Sequence, residues 1–217
     1  MVKNVLNKKL VRDMRQSGMQ FLALILLCVL GTFLFAGLDG IAQMTAATND
    51  RYFEENNLAH FWISLESADR QALNKVRAIP GVEEACARFS MDMETTLPGE
   101  PTLNVAAYDG AMTINVPLIE QGASLEESDV RGCLLQEGFA SANGLEVGDE
   151  ITVRLNGAEY PLTVRGIVYS PEFISVSNGI AANPLEYGYI LVNAQAFEQV
   201  PLTEIVVRLS EDADEET

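Results

Sequence analysis

The stretch Gln20-FLALILLCVLGTFLFAG-Leu38 decides the architecture of this chain, because it is apolar enough to cross a membrane. It lies within 23 consecutive uncharged residues, 16–38. As a helix these residues extend about 34 Å, whereas the hydrocarbon core of a bilayer is about 30 Å thick. A cleaved signal peptide has a shorter apolar region, about 7–15 residues, ending in a small-x-small site. We therefore predict an uncleaved transmembrane helix over residues 16–40. Cleavage is the alternative, and a buried soluble helix is disfavoured.

The charges that flank this span predict its orientation. Five basic residues and one acidic residue precede it, whereas the first charged residues after it are acidic. Basic flanks stay in the cytoplasm, so we predict a cytoplasmic basic segment at residues 1–15 and an extracytoplasmic chain after Leu38. Residues 2–16 also have apolar residues at helical spacing among basic ones, which is typical of a helix along the inner membrane surface. A flank without fixed structure is the alternative.

The rest of the chain is strongly acidic. Beyond residue 20 it carries 9 basic and 30 acidic residues, a net charge of −21. This sign excludes a nucleic-acid-binding role, which requires a basic surface. Acidity of this kind usually keeps an exposed domain soluble. Binding of a cationic cargo or partner is the alternative interpretation of this acidity.

The three cysteines have different predicted environments. Cys28 lies in the predicted span, whereas Cys86 and Cys133 lie outside, where disulfides can persist. Spacing alone gives no sign that these two meet. We expect two separately packed thiols, with a Cys86–Cys133 bridge as the alternative.

The first part of the extracytoplasmic region predicts a helical stalk at residues 41–58, then a strand, a helix and a second strand. Alternation over residues 61–66 indicates the first strand. Ser67 is expected to cap the helix, with Asp69 in its first turn, and Pro80-Gly81 ends it. The second strand alternates over residues 84–94 and places Cys86 on its polar face.

The second part contains the clearest local signal, Ile151-TVRLNGAEYPLT-Val164. Asn156-Gly157 is a strong two-residue hairpin turn, and pairing around it sets Val153 opposite Tyr160. Further elements are predicted at the following positions: a strand at 103–108, an irregular region around 114–119, a strand end and short helix at 134–142, a strand at 187–193, a short helix near 194–199 and a strand at 204–209. The fold class is α+β: one N-terminal transmembrane helix followed by a mixed α/β extracytoplasmic domain, residues 59–217, with strand–helix–strand units and a β-hairpin.

No catalytic chemistry is visible in the sequence. It contains neither GxGxxG nor GxxxxGK[ST], so no phosphate-binding loop is predicted. His60 is the only histidine, and we expect it to pack near Phe61 and Trp62 rather than to act in catalysis. Three carboxylate pairs are adjacent in sequence and therefore point to opposite faces of a strand: Glu83-Glu84, Glu126-Glu127 and Asp149-Glu150. We predict no catalytic, cofactor-binding or metal-binding residues, no cofactor and no enzyme activity, and a turn role for Asp149.

Three stretches resemble one family. They are LVRDMRQSGMQFLALILLCVLGTFLFAGL (residues 10–38), LNKVRAIPGVEEACARFSMDMET (73–95) and LLQEGFASANGLEVGDEITVRLNGAEYPLTVRGIVYSPEFI (134–174). Together they resemble the first span and MacB-like extracytoplasmic core of FtsX/MacB-like ABC transporter permeases. The third is the most specific, because N-G-L-x-V-G-D-x-I, a hairpin and V-x-G-I-V-x-S-P-x-F-I occur in order. The resemblance is weaker at residues 108–129 and near His60.

The resemblance implies a permease subunit of the cytoplasmic membrane that works with a separate cytoplasmic ABC ATPase subunit. Closure of the ATPase would be transmitted through the spans to the outer domain, which acts on cargo or a partner protein. The other expected partners are further permease spans or a second permease copy and the lipid bilayer, with no nucleic acid. Two alternatives stay open: a single-pass anchored module that binds a cationic ligand, and a secreted domain.

The ending, Leu209-SEDADEET-217, is typical of a helix start, with Ser210 as N-cap and acidic residues in the first turns. An acidic tail is the alternative. The resemblance favours a domain truncated at its C-terminus, and we then expect an uncovered sheet edge or apolar groove beside Glu204–Leu209.

Overall fold

The computed structural model describes Lys9, Arg12 and residues 17–173, 183–197, 200–210 and 213, apart from the side chains of residues 42, 43 and 46. The chain forms two compact units, Met1–Arg51 and Tyr52–Thr217. The boundaries expected after residues 15, 40 and 58 stay predictions. The helix predicted from Ser210 onward lies outside the described residues, except for Ser210 and Ala213.

One long helix, α1, spans Gly18–Glu55 without a break. This confirms both the continuous helix over residues 21–35 and its extension past residue 41. Its segment Gly18–Ile41 is long and apolar enough to cross a membrane, with a mean hydropathy of 2.7, and its side chains are exposed. Glycines at 31 and 37 do not interrupt it, as is usual for membrane-spanning helices.

The second unit is built on a mixed sheet. Its strands are β1 Phe61–Ser64, β2 Val82–Thr95, β3 Thr102–Tyr108, β4 Leu118–Gly122, β5 Gly132–Gln136, β6 Glu150–Leu155, β7 Ala158–Tyr169, β8 Tyr187–Asn193 and β9 Glu204–Leu209. Two helices, α2 Arg70–Arg77 and α3 Glu137–Asn143, and a 3-10 turn Ala194–Phe197 connect them. The strand order is β1-β9-β2-β3-β8-β5-β7-β4, with β6 paired to β7 and to the end of β2. The β3–β8 and β5–β7 pairs are parallel. The mixed α/β fold class is confirmed.

The β6–β7 hairpin has the expected register. Val153 pairs with Tyr160, and Leu155 with Ala158, across the turn. Asn156 and Gly157 have φ angles of 52° and 82°, the left-handed conformation that a two-residue turn of this type requires. Asp149 accepts a hydrogen bond from the Glu146 N–H at 2.8 Å, which confirms its turn role.

Three sequence-based expectations are wrong. The cap of α2 is Asp69, whose side chain accepts from the Ala72 N–H at 2.7 Å, rather than Ser67. His60 is exposed, and its Nδ1 accepts from the Leu209 N–H at 3.1 Å instead of packing. In the described residues β9 is paired on both sides, by β1 and β2, so the uncovered edge is not found, whereas the apolar groove and the truncation stay predictions.

A fourth expectation, that Cys86 lies on the polar face of its strand, is also wrong, because Cys86 is buried. Both faces of β2 are covered at this point. One face packs against α2, where Ala85 and Ala87 contact the cluster of Leu73. The other face is covered by irregular segments that contribute Ala59, Ile114 and Phe173. Alternation in β2 therefore separates two buried faces, and a polar residue on either face needs a partner.

Candidate functional site around Arg88

The most unusual residue of the second unit is Arg88, a charged side chain that is only 1% exposed in the middle of β2. Its Nε donates to Glu204 Oε2 at 2.6 Å, and Nη1 donates to Glu172 Oε2 at 2.6 Å and to Tyr108 Oη at 2.7 Å. Nη2 pairs with the other oxygen of Glu172. All three guanidinium nitrogens therefore donate, through four of the five N–H groups. We call Arg88, Glu172, Glu204, Tyr108 and Asn115 the Arg88 cluster.

Glu172 is held in place by the chain that follows β7. The Ser170 N–H donates to Tyr189 Oη at 2.8 Å, and Phe173 stacks on the Tyr189 ring with centroids 4.6 Å apart. These contacts on either side of Glu172 direct its carboxylate toward Arg88. The Trp62 indole N–H donates to Glu172 Oε1 at 2.8 Å. The Ser-Pro-Glu-Phe segment thus anchors this irregular part of the chain to the sheet.

Asn115 connects the cluster to the segment that follows α1. Its Nδ2 donates to Glu172 Oε2 at 2.8 Å, and its Oδ1 accepts from the Ala59 N–H at 2.7 Å. Its own N–H donates to the Asn57 carbonyl at 2.9 Å. Asn115 has a φ of 56°, a left-handed conformation that asparagine tolerates better than most residues. One buried side chain therefore joins residues 57–59 to Glu172.

A further contact fixes the end of α1 within the second unit. The Asn57 side chain donates to the Thr113 carbonyl at 3.0 Å, and the Val116 N–H donates to the Asn56 carbonyl at 2.9 Å. The Tyr52 hydroxyl lies 3.5 Å from the Tyr169 carbonyl. Residues 52–59 are therefore hydrogen-bonded at several points to residues 113–116 and to Tyr169.

The electrostatics of the Arg88 cluster favour a permanent ion pair. Burial by itself lowers the pKa of Arg88, but Tyr108, Glu172 and Glu204 outweigh it and raise the pKa above its ordinary value. Burial also raises the pKa of Tyr108 to about 12. The Arg88 guanidinium lies over the Tyr108 ring, 5.3 Å from its centroid. Removing one partner of such a buried pair costs about 3–5 kcal/mol, because an uncompensated charge remains.

The two thiols outside α1 are buried and free. Cys86 packs with the cluster of Tyr108 and Leu134, whereas Cys133 packs with that of Phe89 and Leu103. Burial raises the pKa of Cys86, and it raises the pKa of Cys133 to about 12. Neither thiol is therefore an activated nucleophile.

The contacts of the cluster hold separate segments of the chain together. Its arginine donates to three side chains, Glu172, Glu204 and Tyr108, and His60 is not in contact with it among the hydrogen bonds of the described residues. Within the described part of the chain, no group of three or more His, Cys, Asp and Glu side chains could hold a metal ion. The adjacent carboxylates also serve separate contacts: Glu83 pairs with Arg208, whereas Glu84 accepts from Thr113. The absence of catalytic, cofactor and metal residues stays a prediction.

Sequence reasoning missed the Arg88 cluster. The available signal was an arginine in the middle of an alternating strand, together with the glutamate of the Ser-Pro-Glu-Phe segment. Arg88 and Glu172 are 84 positions apart in sequence, so local pattern cannot pair them.

Comparison with known proteins gives a family match over most of the chain. The sequence profile described as MacB-like periplasmic core domain matches residues 21–217. No curated protein matches the chain.

Three solved structures are similar at low sequence identity. The extracellular domain of the noncanonic ABC-type transporter YknZ from Gram-positive bacteria is 12% identical, with a TM-score of 0.48 over 70% of this chain and 83% of that chain. The periplasmic region of MacB from Actinobacillus actinomycetemcomitans is 15% identical, with a TM-score of 0.48 over 71% and 69%. A domain of a putative permease protein from Porphyromonas gingivalis is 16% identical, with a TM-score of 0.45 over 71% and 67%.

Proposed function

Because this chain belongs to the MacB-like periplasmic core domain family, we propose that it transmits ATP-driven motion from an ABC transporter's ATPase to cargo or a partner outside the membrane. In this proposal residues 1–15 are cytoplasmic, residues 16–40 cross the cytoplasmic membrane and the domain at residues 59–217 is extracytoplasmic. ATP is hydrolysed by a separate cytoplasmic subunit. Further spans, or a second permease copy, complete the transporter.

The observation that supports transmission is the path of hydrogen bonds from the end of α1 into the sheet. α1 carries both the apolar segment Gly18–Ile41 and the residues that lead to Ala59. From Ala59 the path runs through Asn115 to Glu172, and then through Arg88 to strands β2 and β9. A displacement of residues 56–59 would therefore pull on the central strands rather than on a loose linker.

The burial of this path is what suits it to transmission. Arg88 and Asn115 are each 1% exposed. Charge-assisted hydrogen bonds in such surroundings are shorter and about twice as strong as neutral ones. Breaking the path would leave buried polar groups without partners, at about 1–3 kcal/mol for each group. The segments are therefore expected to move together.

Association with an ATPase tests the proposal. The full chain carrying an affinity tag is cross-linked in its native membranes, purified, and assayed for bound proteins and for vanadate-sensitive ATP hydrolysis. We expect an ABC ATPase subunit and ATP hydrolysis to copurify. A variant with Lys8, Lys9 and Arg12 changed to Gln serves as a test of the expected cytoplasmic segment.

The same experiment can overturn the proposal. Purification of the chain without an ATPase and without ATP hydrolysis would favour the second candidate function, an anchored module that binds a cationic ligand. The specific observation behind that candidate is the net charge of −21 beyond residue 20.

A further inference from the structure

A groove lies beside α3, on the part of the second unit formed by β4, β7 and the turn that precedes β6. Its volume is about 510 Å³, within the range of about 300–1,000 Å³ that is usual for binding clefts. Leu145 and Val147 provide apolar contacts in it, whereas Ala140 and Ile167, which also line it, are buried. Val147 is 42% exposed, although it is a branched apolar residue. We call this feature the α3 groove.

The apolar surface continues from the groove along the sheet. Tyr169 lies two residues beyond Ile167 on β7 and therefore on the same face of the strand. Its partner across the β4–β7 ladder is Leu118. Both side chains are more than 40% exposed. Together they extend the apolar strip past the end of the groove.

Carboxylates border this strip, and no basic side chain lines the groove. Glu137 and Glu146 lie among the lining residues, and Gln121 and Ser141 add neutral polar groups. The pKa of Tyr169 is raised by desolvation, then by Glu137 and Glu120, so both carboxylates lie close to its hydroxyl. The surface thus combines the exposed side chains of Val147, Leu118 and Tyr169 with negative charge beside them.

We propose that the α3 groove docks a basic amphipathic segment of a polypeptide partner. Its apolar side chains would pack on Val147 and on the strip of Leu118 and Tyr169, and its Lys or Arg side chains would face Glu137 and Glu146. An acidic segment would be repelled, and a uniformly polar one would leave Val147, Leu118 and Tyr169 in water. This binding needs no nucleotide, so it goes beyond the motion-transmitting function and stands independently of it.

Direct binding to the full chain in nanodiscs of phosphatidylcholine tests this inference. The probe is a fluorescent peptide of about 18 Leu and Lys residues, arranged to form about five turns of an amphipathic helix. Its anisotropy is measured against increasing protein, with empty nanodiscs as the background. A scrambled peptide of the same composition and a Leu/Glu peptide of the same pattern are the ligand controls. We expect binding by the patterned basic peptide alone.

Matched variants locate the site. The double variant Glu137→Gln/Glu146→Gln should weaken binding about fivefold or more, since two partly exposed ion pairs are lost. Glu66→Gln/Glu94→Gln makes the same charge change at exposed positions outside the groove and should leave binding unchanged. Val147→Asp should weaken binding although it makes the rim more acidic, because it removes apolar contact.

Three outcomes overturn the inference. Equal losses in the two double variants would mean attraction to net charge rather than a site. Tighter binding by Val147→Asp would mean that charge alone is recognised. Binding no stronger than to empty nanodiscs would mean that the groove has no such partner. Circular dichroism of each variant establishes that the fold is retained, and because all five positions are at least partly exposed, loss of folding is not expected.

Discussion

Arg88 is the residue on which the account depends most, because its guanidinium faces two carboxylates in an almost dry environment. Arg88→Met keeps much of the side-chain length but leaves Glu172 and Glu204 without their cation. We expect the free energy of unfolding to fall by about 3–5 kcal/mol. Urea titration of the full chain in detergent, followed by fluorescence, measures it. Trp62 is the only tryptophan of the chain and donates to Glu172, so it reports on this part of the fold.

Arg154→Met is the matched control. Arg154 also pairs with two carboxylates, Glu100 and Glu159, but at the surface. Exposed ion pairs contribute little, because water and salt screen them. The free energy of unfolding of this control should therefore be close to that of the wild type. Similar losses in both variants would contradict the assignment of Arg88 as a buried anchor.

Tyr108 predicts how stability depends on pH in the alkaline range. Its pKa is about 12 in the folded chain, above the ordinary value of about 10. A raised pKa means that the folded state retains its proton while the unfolded state loses it. The contribution of Tyr108 to stability is therefore complete below about pH 10 and is lost as the pH rises through about 12.

Tyr108→Phe tests this dependence, because phenylalanine does not titrate. Between about pH 10 and 12 the wild type should lose stability more steeply than the variant, with a difference on the order of 2 kcal/mol across the range. Tyr108→Phe also loses the hydrogen bond from Arg88, which lowers the stability of the variant at every pH. The comparison is therefore between the slopes of stability against pH and not between absolute stabilities. Parallel slopes would show that Tyr108 does not stay protonated as proposed.

At the scale of elements, the β6–β7 hairpin gives the sharpest prediction. Gly157 has a φ of 82°, and a Cβ added there would meet no other atom within 4 Å. Gly157→Val therefore adds backbone strain without a steric clash, at about 1–3 kcal/mol for a β-branched residue in this region. Thermal unfolding should shift downward.

Ala158→Val is the control for the hairpin, because Ala158 is exposed and lies in β7 itself. Valine is favoured in strands, so this variant should unfold at the same temperature as the wild type or slightly above it. An unchanged midpoint for Gly157→Val would contradict the turn conformation.

The same elements show how far the sequence could predict the fold. α1, the hairpin and the unit from β8 to β9 follow from local signals: an uncharged run, an Asn-Gly turn and period-2 alternation. The cap of α2 does not follow from local signals alone, because Ser67 and Asp69 are both residue types that cap helices well. Only the structure shows which of the two accepts from the backbone.

The candidate site could not be predicted in the same way. Alternation in β2 correctly separated Cys86 and Arg88 from Ala85, Ala87 and Phe89. It could not reveal that irregular segments cover the second face, because those segments come from distant parts of the sequence and have no periodicity of their own. A buried charge pair between β2 and the chain after β7 is a tertiary feature, and its partners are identified only when the segments are placed.

At the scale of the whole molecule, the proposed route of motion enters the sheet from Ala59 through a short buried path. Asn115 is the side chain that connects the two ends of that path, since it is hydrogen-bonded to both Ala59 and Glu172. Asn115→Gly removes both side-chain bonds, and glycine adopts the φ of 56° at this position without strain. If the path transmits motion, this variant should reduce movement of the domain without abolishing ATP hydrolysis by the partner subunit.

Energy transfer between the domain and the lipid surface measures that movement directly. A donor is placed on Gln71→Cys, an exposed position in α2, and acceptors are placed on the lipid headgroups. Cys28→Ser removes the one exposed native thiol of the described chain, and burial protects Cys86 and Cys133 from labelling. The chain is reconstituted in nanodiscs with the ATPase subunit that copurifies with it.

If the domain moves with the ATPase, transfer efficiency should differ between the nucleotide-free and the vanadate-trapped states, and Asn115→Gly should reduce this difference while ATP hydrolysis continues. Equal transfer efficiency in both states, with the ATPase turning over, would contradict the claim that this domain moves with the ATPase.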